Sequence, residues 1–345
     1  MNKQLTHLLK RAILILTMAS ALFPPLKAQE GNILKGILSR SELHAWSQMG
    51  YTAVWDGPSR SNNFEVRRAI IRVELGISKR WKARLMFNPV LGTLQDTWLD
   101  YEILPWMHLR VGQQKIAFGQ ETALYTPTYD LIEVATQSTR YLSGFGLDPL
   151  YGSKAGRDVG VKLYGGFLDQ KIKYEIALMN GQGTNTRDLN RHKDLSGRLD
   201  VTPWPGVTLH GSFYLGKGHA IGLSNANPDI QIGDDYKRDR ISLGVTFDQP
   251  YLFVRTGWQK GWDKSVQSTG AYLIARRNLV KDVDAIMAVD YLNRNRRLGM
   301  AKTDYWAGFQ YWFYKEHRIQ AFYVYSHVKG GNCIHNINLQ LQFAF

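Results

Sequence analysis

Apolar and polar residues alternate along most of the chain with a period of two, the repeat of strands with one greasy and one wet face. The last stretch is the clearest: Ile337, Leu339, Leu341, Phe343 and Phe345 interleave with Asn338, Gln340, Gln342 and Ala344. Tyr305, Ala307, Phe309, Tyr311 and Phe313 oppose Asp304, Trp306, Gly308, Gln310 and Trp312 in the same way. Sixteen such segments are expected as strands, at 42–55, 64–78, 81–89, 94–103, 107–117, 157–167, 170–180, 193–202, 206–216, 237–248, 251–260, 267–277, 282–293, 303–314, 318–328 and 334–345. No convincing helix accompanies them.

Connections alternate in length. Lys79–Arg80, Leu104–Trp106, Leu168–Asp169, Thr202–Pro205 and Gln249–Pro250 are tight, whereas 118–156, 181–192 and 217–236 are long. Tight turns on one side and long loops on the other are the asymmetry of an outer-membrane barrel. In hydrocarbon every backbone polar group must be paired, so the sheet has to close. Sixteen strands enclose a lumen too wide for side chains to fill. The fold expected is therefore all-β: a transmembrane antiparallel β-barrel.

Composition agrees. Aromatics make up 12% of the chain, with 18 Tyr and 10 Trp. They cluster near strand ends, as an interfacial girdle would. The N-terminus reads as an export signal over residues 1–28, with Lys3, Lys10 and Arg11 before an apolar run from Ala12 to Phe23. That run is too short for a membrane-spanning helix. Residues 29–345 are then the barrel. One cysteine, Cys333, excludes an intramolecular disulfide, and no Cys/His pattern suggests a metal site. No cofactor, metal or nucleic-acid partner is expected.

The alternation fails at Gln113 to Lys115. About 35 residues after Gly119 then carry no sustained period, and so long an irregular stretch within a domain of short strands is usually functional. A loop at 119–156 is expected to fold into the lumen. Its bases are Arg140 and Lys154 against Glu121, Asp130, Glu133 and Asp148, and Lys115 and Arg157, which flank it, are expected to line the pore. If apolar residues face lipid, the alternate positions face water. These place Arg68, Arg72, Arg84, Arg110, Lys162, Arg198 and Arg240 among thirteen inward bases, against eight inward acids. Such a wall selects anions if the excess is felt in the pore. It does not if the charges neutralise each other, as Arg84 with Asp100 and Lys162 with Glu175 would. Trp46, Trp98, Tyr164, Tyr214, Tyr272, Trp306 and Trp312 also point inward; they either form a track for sugar rings, or pack beneath the loop or sit outside the membrane band.

Five stretches in order resemble the phosphate-selective porin O and P family. They are Phe64 to Ala69 (FEVRRA), Leu109 to Lys115 (LRVGQQK) with Phe118 to Glu121 (FGQE), Gly156 to Val161 (GRDVGV), Met179 to Gly183 (MNGQG) and Leu195 to Leu199 (LSGRL). The resemblance implies a sixteen-stranded outer-membrane porin of a Gram-negative bacterium, commonly a homotrimer, with its third long loop inside the pore. It places Arg67 and Arg68 at the family's arginine-ladder position and Arg198 as a lumen charge. The acid-rich loop departs from a phosphate trap, which needs convergent cations. The terminal Phe345 resembles the signal read by the outer-membrane barrel assembly machinery.

The function expected is passive diffusion of small hydrophilic solutes through the outer-membrane lipid, anions such as phosphate first. The alternative is a carbohydrate- or oligosaccharide-conducting porin with weak ion selectivity. An enzyme is not expected: His210 is inward but lacks an obvious nucleophile, and there is no Gly-x-Ser-x-Gly.

Overall fold

A computed structural model describes residues 35–345, and the expected signal peptide, residues 1–28, lies outside them. The first strands are β1 (Glu42–Asp56), β2 (Ser59–Gly76), β3 (Trp81–Asn88), β4 (Thr93–Leu104) and β5 (Met107–Lys115). After a long segment come β6 (Arg157–Phe167), β7 (Ile172–Met179), β8 (Asp194–Trp204), β9 (Val207–Leu215) and β10 (Lys217–His219). The rest are β11 (Asp235–Gln249), β12 (Leu252–Asp263), β13 (Val266–Val280), β14 (Val283–Asn293), β15 (Ala301–Tyr314), β16 (His317–Val328) and β17 (Cys333–Ala344).

Sequential wall strands pair antiparallel, β9 pairs with β11, and β17 pairs with β1 to close the cylinder. All sixteen expected strands are present. The addition is β10, a three-residue stub on the end of β11 within the stretch expected as loop. Closure is tight at the seam: Trp46 lies opposite Ala344, and the Ala45 and Phe345 backbones exchange both their hydrogen bonds.

The two faces separate as the alternation requires. Leu243, Met287, Phe309, Ile319 and Leu339 stand on the outside, while Arg240, Ser242, Gln310, Arg318 and Gln320 are buried within. Outward aromatics gather at both rims. Trp81 packs on Tyr101 and Trp106 on Phe167 at the tight-turn end; Tyr305 stacks on Tyr325 at the other. These are the two belts a spanning barrel sets at the headgroup levels.

Two local departures from alternation shape the interior. Gln48 pairs with Arg68 but Met49 pairs with Val66, so Arg67 is an extra residue in β2. Such a bulge re-aims side chains, and both Arg67 and Arg68 turn inward. Gly50 leaves room for the Arg67 guanidinium, which crosses the place where a Cβ would stand. The second departure is at Gly112, whose φ of +127° only glycine adopts easily. The Thr97 carbonyl lies where its Cβ would be. Beyond it parity is lost, and Lys115 and its cross-strand partner Arg157 face the lumen.

We expect Gly112→Val to destabilise the barrel by about 1–3 kcal/mol from backbone strain alone. The check is the temperature at which the compact folded band converts to the unfolded one on a detergent gel, which should fall.

Candidate functional site

The segment between β5 and β6 is packed among inward-facing side chains. It contains single 3-10 turns at Glu121–Ala123 and Thr126–Thr128, followed by the short helix α1 (Gln137–Leu142). Its apolar side chains join those of the wall. Leu131 and Ile132 pack with Tyr272, Ile274, Ile286, Trp306 and Phe322; Phe118, Tyr141 and Leu142 pack with Met179, Tyr214 and Leu292.

The loop's acids point mostly at that packed wall. Asp130, 2% exposed, is gripped by Arg255 at 2.9 Å and by Arg276, and its carbonyl accepts from Gln320. Arg318 donates to the Tyr129 carbonyl and Arg68 to that of Ile132. Glu121 is buried and accepts from the Thr136 and Thr139 hydroxyls. Burial pushes its carboxyl above the usual range, against those hydrogen bonds and the Arg255 charge. Asp148 is fully buried and accepts from the Leu150 backbone N–H. Glu133 alone among the four turns to open space, 2.9 Å from Arg140. Burial works to raise its pKa, but Arg140, Arg68 and Arg67 outweigh it and hold the carboxyl below its usual range.

Opposite the packed side, three neighbouring chambers lie between the loop and the wall. One of about 400 Å³ touches Arg67, Glu133 and Arg140, and all three also line a smaller one of about 190 Å³. Tyr125 joins the smaller chamber to a third, of about 650 Å³, which holds Arg72 and Trp46 and opens beside Phe345. The small chamber is bordered by Arg67, Arg68, Lys115, Arg140 and Arg157, and Glu133 is its single acid.

Ion pairing explains why that excess survives. Glu74 serves both Arg72 and Arg84, at 3.2 and 2.7 Å. Asp96 serves Arg84 at 3.5 Å and Arg157 at 2.6 Å. Glu175 serves Lys162 at 2.8 Å and Arg198 at 2.5 Å. Arg84 is common to the first two acids, so Glu74 and Asp96 serve three bases and leave one positive charge over, whereas Arg198 also reaches Asp200 at 3.4 Å. Arg68 and Lys115 have no acidic partner among the described residues: Arg68 donates to Gln48 and Ile132, Lys115 to the Leu124 carbonyl.

Of the expected pairs, Lys162 with Glu175 forms. Arg84 with Asp100 does not, because Asp100 is taken by Arg110 at 2.9 Å while Arg84 reaches Glu74 and Asp96. Arg240 is inward but buried against Asp263 at 2.6 Å, away from the three chambers. Lys154 reaches across to the Thr186 hydroxyl at 2.6 Å instead of lining the passage. The charge count over 119–156 gave no sign that Asp130 and Glu121 would turn away. The bases that hold Asp130, Arg255 and Arg276, were legible as inward but not as its partners.

The inward aromatics do not form a bare track. Arg110 lies 3.8 Å from the Trp98 ring centre and 4.5 Å from that of Tyr164; Arg72 covers Trp46 at 5.6 Å. Tyr214, Tyr272 and Trp306 are buried in the packed clusters. Cations on ring faces are attracted by the ring quadrupole. Here they occupy the faces a sugar would need. No group of three His, Cys, Asp or Glu residues that could hold a metal occurs among the described residues.

The chain matches the family model described as phosphate-selective porin O and P over residues 44–218. No curated protein sequence matches it. Among solved structures it is similar to an anion-selective porin from Comamonas acidovorans, with TM-score 0.63 and 12% identity over 88% of this chain and 100% of that one. It is also similar to OmpT, an outer-membrane protein of Vibrio cholerae, at TM-score 0.63 and 11% identity over 88% and 99%. The outer-membrane channel DcaP of Acinetobacter baumannii follows at TM-score 0.61 and 9% identity over 88% and 97%.

Asp130→Asn should loosen the loop by about 3 kcal/mol, since it leaves the buried Arg255 without its carboxylate, while the partly exposed Arg276 turns to water. Trypsin should then cut the reconstituted barrel within 119–156, where the unaltered protein resists.

Proposed function

The chain belongs to the phosphate-selective porin O and P family and forms an outer-membrane porin channel, and from that we propose that it conducts small hydrophilic solutes by passive diffusion with a preference for anions. One observation carries the preference: the smallest chamber on the passage has five bases on its border and one acid, and two of those bases lack any acidic partner. A cation held without a counter-charge costs desolvation that water and passing anions offset. Low-dielectric walls focus the resulting field along the lumen. Glu133, paired with Arg140 and also near Arg67 and Arg68, offsets one of the five bases and leaves the border positive.

Phosphate is within this class as a small, multiply charged anion, and Arg67, Arg68 and Arg157 offer the guanidinium groups that suit its oxygens. The neutral oligosaccharide reading is weaker, because arginines cover the aromatic faces. Residues 1–28 act in this proposal as a cleaved export signal. Phe345, 77% exposed at the closing seam, is left free for the assembly machinery. We take the working unit as a homotrimer; the solved OmpT of Vibrio cholerae is described in a trimer form.

The test is the reversal potential of single channels in a potassium chloride gradient, which should have the sign of chloride preference. Arg68→Gln combined with Lys115→Gln should lower the chloride-to-potassium permeability ratio by about three- to tenfold by weakening the lumen field. Lys171→Gln, at a tight turn, should leave it unchanged. Cation preference in the unaltered channel would overturn the proposal.

A further inference from the structure

The 400 Å³ chamber has a different chemistry from the passage beside it. Its bases are all matched: Arg67 with Glu65 at 3.2 Å, Arg140 with Glu133 at 2.9 Å and Lys302 with Asp304 at 3.0 Å. On balance it is neutral. Between these pairs it presents short uncharged groups that both donate and accept: Ser61 and Asn63 from β2, Asn336 and Asn338 from β17, and Ser326 from β16.

A neutral amide and hydroxyl wall does little for a bare ion. It suits a solute carrying hydroxyls, each of which needs a donor and an acceptor. Two further groups point the same way. The Trp306 indole N–H and the Ser326 hydroxyl border this chamber, are buried, and have no hydrogen-bond partner among the described residues. Trp306 is 8% exposed and Ser326 1%. The described residues supply neither with a partner, and a hydroxylated solute in the chamber offers one. The Ser61 hydroxyl and the amide ends of Asn63 and Asn336 are likewise uncommitted to other side chains, while Asn338 accepts from Thr52 at 3.1 Å and Arg67 at 3.4 Å and keeps its own donors.

Arg67 and Arg140 belong to this chamber and to the positive one. A solute lying in the amide-lined space would therefore have its charged end at the boundary where the cation excess begins. The volume lies within the range of small-ligand sites.

We propose that this chamber is a recognition site for monosaccharide-sized hydroxylated anions, sugars bearing a carboxylate or a phosphate. Their hydroxyls meet Asn63, Asn336, Asn338 and Ser326, and their anionic group is presented to Arg67 and Arg140. The inference rests on the anion-favouring reading of the adjoining chamber and narrows it to a class of substrate. Hydroxylated anions then dwell where chloride passes without pause.

The full-length protein in planar bilayers tests this through block of its chloride current. Glucuronate should block at about tenfold lower concentration than acetate, and glucose 6-phosphate at about tenfold lower than inorganic phosphate, the equivalent of one or two net hydrogen bonds. Neutral glucose should not block. Asn63→Leu with Asn336→Leu should abolish both differences in a channel that still conducts chloride and keeps the sign of its reversal potential. Ser326→Ala removes a single hydroxyl with little change of shape and should reduce the discrimination several-fold, so the test does not depend on the double variant folding. Equal block by glucuronate and acetate, block by glucose as strong as by glucuronate, or full discrimination in the double variant would each overturn the inference. An unaltered channel that favours potassium would instead overturn the anion reading beneath it. Which of the two acidic sugars blocks more strongly tells the carboxylate from the phosphate source.

Discussion

Hydrocarbon offers no partner to a backbone N–H or carbonyl, so this chain is stable in a membrane only because its last strand returns to its first. The pairing of β17 with β1 runs from Trp46 opposite Ala344 to Asp56 opposite Ile334, and removes both edges of the sheet. Everything inside follows from that closure. A cylinder of sixteen strands has more lumen than its own side chains fill, and the space is taken by one loop pressed against one half of the wall. The other half is left to line a passage.

The loop divides the labour of charge between the two halves. Against β12, β13 and β16, the bases Arg255, Arg276 and Arg318 hold Asp130 and the carbonyls beside it, so their charge goes into fastening. Along β2 to β8 the bases outnumber the acids they reach, because Glu74, Asp96 and Glu175 are each shared by two. Residues of one type thus serve as struts on one side and as a field on the other. What decides the difference is whether a carboxylate is within reach.

Strand number, closure and the lipid face were legible in the sequence because they depend on a period of two and on turn length, both local properties. Even the failure of that period near Gln113 marked a real event, the kink at Gly112 that swings Lys115 inward. The bulge that makes room for Arg67 was not readable from alternation, which can place only one of two adjacent arginines in the lumen; resemblance to family motifs supplied the other. The pairing of charges was the least legible. Arg84 and Asp100 are one strand apart and of opposite sign, yet Arg110 on the far side of Asp100 reaches it first. Alternation assigns a face; it does not assign a neighbour among several on that face.

The loop's composition shows how a charge count can point away from the field a solute meets. Four acids against two bases suggested a segment unsuited to anions. Three of those acids are turned to the packed side or to the loop's own backbone and hydroxyls, away from a solute in the passage, and Asp130 is offset there by Arg255 and Arg276. The fourth is neutralised by Arg140. Meanwhile Lys115 and Arg157, at the roots of the loop, belong to the chamber although parity would have given them to lipid. Potential in a narrow passage is set by the charges that border it and by how many remain unshared. By that measure the passage is positive, and the loop contributes to its sign mainly by taking its own acids out of view.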